Sequence, residues 1–441
     1  MTLRTPYTAP APTGRGGEGV AELLHEADVV VVGAGALGAS VAFHLAARGD
    51  RRVAIVERFA AASQTSPRAA GLTQQIAPTE SRTRIGVRSC GKIARFAEET
   101  GEPLHFAVSG SLKLARNEEH AAQIGDEVAR ARQWGVRLEM VEPADLPKLS
   151  PFVVPRGVVA ASYNPDDLYL EPVQIPRGYT RAAVKHGAAL FEGTAVTGLL
   201  VENGRVGGVA TSRGEVRAPV VVDAAGAWSR AVASRGGPAI GVVPMRHQLL
   251  ITEPLAEVRP EQPIVRVIDP NVYVRPDKGG LMLGGYEPDP KLYEGEQLAD
   301  DFQIRDLPLD LQVLRRLADA VREQLPVFQD VFARGAIREH RGGLPTMSPD
   351  GAYLVGPVDA LPGLYVSTGC NVGGLSTSPA IGEALADLIA TGQSSIDLTP
   401  FKPDRFDAEL VSSERLRDEC RRQYAFKYWA KPGAVVSNVI T

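Results

Sequence analysis

The period of the hydrophobic pattern changes several times along the chain, and each change marks an element. Val29–Val32 is an unbroken apolar run that predicts a strand. Three glycines follow, Gly33, Gly35 and Gly38, then a helix-like run, then a second apolar strand, VAIV, ending at Glu57. Residues 84–100 have helix-like composition, and residues 117–134 alternate charge with alanine as an exposed helix does. A Val- and Pro-rich stretch over 152–175 gives way to helical spacing in QIPRGYTRAAVKHGAAL. From 194 to 222 the period becomes strand-like, and Asn203-Gly204 between apolar runs predicts a hairpin. Further strands follow over 241–290, in GVVPMRHQLLIT, NVYVRP and GGLMLGGYE. A helix is expected near 309–324. A last strand over 363–369 enters a glycine-rich loop and a helix over 378–392, with Pro379 near its start.

Helical and strand-rich blocks alternate, so two domains are expected, each assembled from separated segments. Segments 28–90, 151–235 and 335–396 are read as one domain and 91–150 with 236–334 as the other. Residues 1–27 read as a flexible leader without a signal-peptide core, and 397–441 as a C-terminal helix and tail. The tail begins charged and ends with aromatics, which predicts packing on the body or on a second subunit. No internal repeat is visible.

Composition narrows the function classes. The 441 residues are 44% hydrophobic, and 48 basic residues against 52 acidic ones are interleaved, which leaves no nucleic-acid footprint. No apolar span is long enough for a membrane helix. Three scattered cysteines suit a reducing cytoplasm rather than a disulfide framework, and the seven histidines show no metal spacing, so no metal is expected.

The glycine triplet follows a strand and opens a helix, which is the setting a dinucleotide fingerprint needs. Gly33 serves the tight turn, Gly35 the approach of a pyrophosphate, and Gly38 the packing of helix on strand. Glu57, 24 residues beyond Gly33, is placed for ribose hydroxyls and argues against a 2′-phosphate. FAD and NAD share this fingerprint. VVVDAAGAWS (220–229), GCNVGGLSTSPAIGE (369–383) and the small-residue loop 61–75 favour FAD, because a nicotinamide domain seldom needs a second such loop so far downstream.

With SPRAAGL, PMRHQLLITEP, YVRPDKGGLMLGGYEPDP and LPTMSPDGAYLVGP, these segments resemble the D-amino-acid-oxidase superfamily over residues 28–396. Within it the chain is most similar to the sarcosine and dimethylglycine dehydrogenase and oxidase group. The resemblance implies an α/β fold (α+β overall): a glutathione-reductase-like FAD-binding domain with a mostly antiparallel β-sheet substrate domain. It implies that Gly33, Gly35, Gly38 and Glu57 hold the ADP half, that Val196 meets adenine through its backbone, and that Ala225, Gly226 and Trp228 line the adenosine–phosphate region. Arg68, Ala69, Ala70, Gly71 and Leu72 would flank the isoalloxazine, and Gly373, Gly374, Leu375 and Ser376 would touch its pyrimidine end. Ala36, Leu37, Arg58, Ser66, Gly343 and Asn371 complete the cofactor set.

The chain also departs from the family's pattern. Arg68 stands where the dehydrogenases carry a flavin-linking histidine, and Gly343 near where monomeric sarcosine oxidases carry a linking cysteine, so FAD is expected to be non-covalent. Ser376 replaces a carboxylate-binding lysine and Met282 an oxygen-activating one, which leaves O2 or another electron acceptor open. A folate-binding half is not part of this sequence, so formaldehyde from an N-methyl group would not be captured within it.

For catalysis the candidates are His247, Tyr273, Arg275 and Tyr286. A neutral His247 would bind or deprotonate the substrate ammonium. Tyr273 and Arg275 alternate with valine on one strand face, where arginine could pair a carboxylate. Arg338, His340 and Arg341 either line the flavin or form a solvated turn. The function expected is FAD-dependent oxidation of a secondary or tertiary amine or amino acid by hydride transfer. D-amino-acid, glycine or 2-hydroxy-acid oxidation, a FAD-carrying electron-transfer subunit, and an NAD-binding module are the alternatives. A homo-oligomer is compatible with the sequence.

Overall fold

The computed structural model describes residues 23–429. The expected leader over 1–22 and the end of the tail over 430–441 lie outside the described residues.

Val29–Val32 and Val53–Val56 are buried on both faces and pair in parallel at the centre of a six-stranded sheet. Its order is Leu354–Pro357, Leu364–Thr368, Val220–Asp223, Val29–Val32, Val53–Val56, Ala189–Phe191, parallel except for the antiparallel first pair. Val29 and Val31 face a helical layer, whereas Val30 and Val32 face a three-stranded antiparallel sheet over 196–217. Double burial explains why these strands read as continuous apolar runs. The expected hairpin forms with Asn203 and Gly204 both at positive φ, +51° and +72°.

In the helical layer, Ala36–Ala46 crosses Gly374–Thr391 so closely that a Cβ on Gly382 would stand 2.1 Å from Ser40 Oγ. One turn on, the His44 ring places Nδ1 2.7 Å from Ser40 O while Nε2 has no partner. Burial, reinforced by Lys92, pulls His44 down to about pH 4. Its folded pKa is thus below the unfolded one, so the stability it permits is complete above about pH 6.5 and is lost as acid protonates the unfolded chain first. His44→Leu is expected to match the parent near pH 7.5. By pH 5 it should gain about 2 kcal/mol on the parent, at about 1.4 kcal/mol per pH unit, read from urea midpoints at the two pH values.

The Gly374–Thr391 helix starts four residues earlier than the sequence suggests, which puts Pro379 inside it. Proline removes the N–H that would bond Leu375 O, and Ser378 Oγ takes that carbonyl instead at 3.0 Å. The other expected helices form over Glu80–Ala94, Phe96–Thr100, Glu118–Gln133 and Leu311–Ala320.

A second, eight-stranded sheet runs in the order Ile337–Gly343, His247–Thr252, Gly280–Gly285, Val272–Asp277, Ile264–Val267, Ser111–Ala115, Ala160–Asn164, Glu139–Val141. All its pairs are antiparallel except Ile264–Val267 with Ser111–Ala115. Ala160–Asn164 and Ile337–Gly343 fall in segments that the sequence reading grouped with the first sheet. The boundaries at 151 and 335 are corrected accordingly: strand pairing over this distance is tertiary, and a Val- and Pro-rich stretch carries no signal of its partner. One face of the sheet, with Leu112, Val265, Val274 and Leu281, packs on Leu311–Ala320. Its other face carries His247, Arg266, Tyr273, Arg275, Met282 and Arg341, a register fixed by cross-strand pairs such as Arg266↔Tyr273 and Arg275↔Met282. Among the described residues no helix is long and apolar enough to cross a membrane, and no group of three metal-binding side chains forms.

Candidate active site

The glycine loop sits at the carboxyl ends of the parallel strands, where open α/β sheets take their ligands. Gly33 has φ +100°, a conformation that L side chains rarely adopt. A Cβ on Gly38 would lie 2.0 Å from Gly33 O. At Gly35 an added Cβ would meet only Ser66 Oγ, at 3.4 Å, so the start of the helix stays open. Ser66 Oγ accepts from Ala36 N at 3.0 Å, which ties loop 61–75 to that helix end, with Leu37 half-buried beside it. Glu57 is buried, and its two oxygens accept from Ala34 N and Phe59 N, both at 2.8 Å. Desolvation raises its pKa while those N–H groups oppose the rise.

Further along the same edge, Gly226 has φ +58° with open space where a Cβ would go, and Trp228 Nε1 is buried with no partner. Ala225 N donates to Asp223 Oδ1, and burial lifts Asp223 to about pH 7. Val196 opens the three-stranded sheet, its carbonyl accepting from Arg235. Arg58 points away to Asp300 at 2.8 Å. An orphaned indole N–H, an open glycine and an unobstructed helix start on one sheet edge fit a dinucleotide.

Residues 66–73 form the loop between the two sheets. Arg68 folds back to donate to Ser63 O and Gln64 O. Three arginines from three strands of the eight-stranded sheet hold the loop's carbonyls: Arg341 on Ala69 O (3.1 Å), Arg275 on Ala70 O (2.8 Å) and Arg266 on Thr73 O (2.6 Å). Gly71, at φ +69°, would put a Cβ 2.3 Å from Leu170 O, and Leu72 packs beside Ala70 on the aromatic cluster described below. Gly343 ends its strand so close to Thr65 that a Cβ would stand 2.9 Å from Cγ2. The glycine-rich loop before Gly374–Thr391 is strained: Asn371 and the β-branched Val372 lie at φ +45° and +69°. The Asn371 side chain bonds Ser348, Ala352 and Gly369, which holds the turn, while Ser376 Oγ folds back onto Gly373 O. Gly373 and Gly374 approach Cys370, and Leu375 is buried.

His247 lies between two phenols, Nδ1 2.8 Å from Tyr424 Oη and Nε2 2.9 Å from Tyr273 Oη. Tyr286 stacks over it with ring centroids 4.9 Å apart, and Tyr428 packs edge-on to Tyr286. Burial, with a contribution from the Lys427 charge, pulls His247 down to about pH 3. It is therefore a neutral imidazole with both nitrogens engaged. Burial pushes Tyr273, Tyr286 and Tyr424 well above the usual phenol range.

The two candidate arginines separate. Arg275 is buried and engaged by Ala70 O, Pro276 O and Asp277 at 3.0 Å, with its guanidinium over the Tyr169 ring. Arg341 reaches Ala69 O and Glu339 at 3.2 Å, and its buried Nε has no partner. Arg338 pairs with Asp277 and His340 with Gln248, both away from the loop.

Sequence reasoning did not single out Arg266, Tyr424, Lys427 or Tyr428. The last three come from Glu414–Ala425 and the turn after it; the buried stripe Leu416, Cys420, Tyr424 at helical spacing was the available signal. That stripe packs on the body of the same chain, through Met245 and Met347.

Residues 28–388 match the family described as FAD dependent oxidoreductase (DAO). The chain is 28% identical to mouse (Mus musculus) mitochondrial sarcosine dehydrogenase over 409 residues, 91% of this chain and 44% of that one. It therefore spans less than half the length of that relative. It is 26% identical to glycine oxidase of Geobacillus kaustophilus, covering 87% of this chain and 98% of that one. Its fold matches the crystal structure of L-proline dehydrogenase from P. horikoshii with a TM-score of 0.78, at 26% identity, over 87% of this chain and 98% of that one. With the glycine loop, the open sheet edge and the family match in agreement, the chain belongs to the FAD dependent oxidoreductase family, and FAD is its cofactor.

Proposed function

We propose that the protein oxidises the C–N bond of a secondary or tertiary amino acid to an imine or iminium that water then hydrolyses, and that it holds FAD without a covalent link. When bound, FAD accepts the hydride from the carbon next to nitrogen. The protein's own part is binding, orientation and control of one proton. The observation that carries the reading is the lining that faces loop 69–73: un-ionised tyrosines, a neutral His247 and Met282, with Arg341 at its edge.

An amine must lose its proton before it can release hydride. Burial against such a wall disfavours the ammonium form by desolvation, and nearby guanidinium groups disfavour it further. His247 then acts by fixing Tyr273 and Tyr424, not as the base, since both its nitrogens are engaged. Arg341, with unspent donors, takes the substrate carboxylate, whereas Arg275 holds the loop. The similarity to sarcosine dehydrogenase supports an N-methylated substrate, and that to L-proline dehydrogenase a cyclic one.

The test is anaerobic titration of the yellow protein with sarcosine, dimethylglycine, proline, glycine, D-alanine and a 2-hydroxy acid. Bleaching by the secondary and tertiary amino acids is expected. Bleaching by the hydroxy acid alone would sink the reading. Acid precipitation should leave the yellow colour in the supernatant, because Arg68 and Gly343 offer no linking atom. Peroxide formed in air then tells an oxidase from a dehydrogenase.

A further inference from the structure

We propose that Lys427 is a working part of the flavin site, its ammonium answering the negative charge that two-electron reduction places on the bound cofactor. The inference rests on FAD as cofactor and is independent of which substrate is oxidised.

Lys427 lies just beyond Glu414–Ala425, in a turn fixed from both sides by Asn271. Asn271 Nδ2 donates to Ala425 O at 3.0 Å and Asn271 Oδ1 accepts from Tyr428 N at 2.9 Å. The lysine between these anchors is directed inward, and Nζ donates to Asn371 O at 2.6 Å. Asn371 belongs to the strained loop at the ligand edge of the six-stranded sheet, and the same ammonium bears on His247 of the opposing sheet. Lys427 thus stands between the two walls of the candidate site.

Its charge has no answer there. The groups that face it are Arg82 from Glu80–Ala94, the Cys370 thiol from the strained loop, and the neutral His247. Among the described residues no carboxylate pairs with it, and one hydrogen bond leaves two N–H groups to spend. Desolvation, aggravated by Arg82, pulls Lys427 down to about pH 7. A desolvated cation without a counter-charge is costly unless a ligand supplies one. Hydride transfer does so: two electrons and one hydrogen arrive on the flavin together, leaving it with one extra negative charge. An anion nearby favours the ammonium, so Lys427 takes up a proton from solvent as the flavin is reduced.

The experiment uses the FAD-loaded enzyme and sulfite, which adds to oxidised flavin and places the same kind of charge on it, together with the two-electron midpoint potential. Lys427→Met is expected to weaken sulfite binding about tenfold at pH 6.5 and to lower the midpoint potential by about 30 mV, the same tenfold for two electrons. Lys427→Arg should keep both near the parent values. In the unmodified enzyme the dependence of potential on pH should steepen about twofold above pH 7, from one proton per electron pair to two; this measurement needs no variant. Sulfite affinity and potential of Lys427→Met within twofold of the parent, or an unchanged slope between pH 7 and 9, would overturn the proposal. So would a variant in which benzoate binding alone is weakened, which would assign Lys427 to the substrate carboxylate.

Discussion

Gly38→Val is expected to purify colourless, with FAD affinity at least about a hundredfold below that of the parent. The first atom of the new side chain would lie 2.0 Å from Gly33 O and 3.1 Å from Ala224 Cβ. Both neighbours are held, Gly33 by its turn at φ +100° and Ala224 by its N–H on Val32 O. A clash with backbone has no flexible side chain to absorb it. The Ala36–Ala46 helix must therefore lift off the strand and take its N-terminal N–H groups with it. Overpacking of this kind costs about 1–3 kcal/mol or more, and every 1.4 kcal/mol is tenfold in affinity. The ratio of flavin to protein absorbance reads the result directly. Gly91→Ala is the control, since its Cβ would meet nothing within 4 Å in the last turn of the Glu80–Ala94 helix. That variant should stay yellow and gain up to about 1 kcal/mol of stability.

Arg341→Met should raise KM for an amino-acid substrate about a hundredfold, with a much smaller change in kcat. The same substitution should leave N-methylated amines without a carboxylate almost unaffected. Hydrogen bonds to a charged group contribute about 1.5–3 kcal/mol, so loss of the guanidinium reaches that range even after Glu339 and Ala69 O have each claimed a donor. Arg275→Met should behave differently. Its guanidinium is already engaged, and its removal strands Ala70 O inside the protein and leaves Asp277 with Arg338 as its remaining cation. Leaving a buried acceptor unsatisfied costs about 1–3 kcal/mol, so that variant should lose thermal stability before it loses substrate affinity. A hundredfold rise in KM from Arg275→Met with unchanged melting would reverse the assignment of the two arginines.

The difference between these arginines shows what the chain discloses and what it withholds. The glycine loop, the parallel strand pair and the hairpin at Asn203-Gly204 are local, and their signals lie within a few residues of one another. Even the pairing of Arg275 with Asp277 is local, because residues two apart on a strand share a face. The neutral state of His247 is not local. It comes from burial and the Lys427 charge, and both Lys427 and Tyr424, which caps Nδ1 from 177 residues away, are carried in by a helix with no motif of its own. Lys427 was hidden for the same reason. Pro379 misled for a different one: proline is at home at a helix start, and only the compensation by Ser378 lets it sit further in. The eight-stranded sheet draws strands from both ends of the chain, and nothing in Ala160–Asn164 itself names Ser111–Ala115 as its neighbour.

The three arginines on Ala69, Ala70 and Thr73 make loop 66–73 common property of the two sheets. Were the loop a hinged door, it would swing at the pace of an ordinary loop motion. Held instead by guanidinium groups rooted in three separate strands, the loop opens only when the sheet that carries them loosens. Opening of the loop then becomes a partial unfolding event, governed by the cooperativity of the eight-stranded sheet rather than by the loop's own contacts.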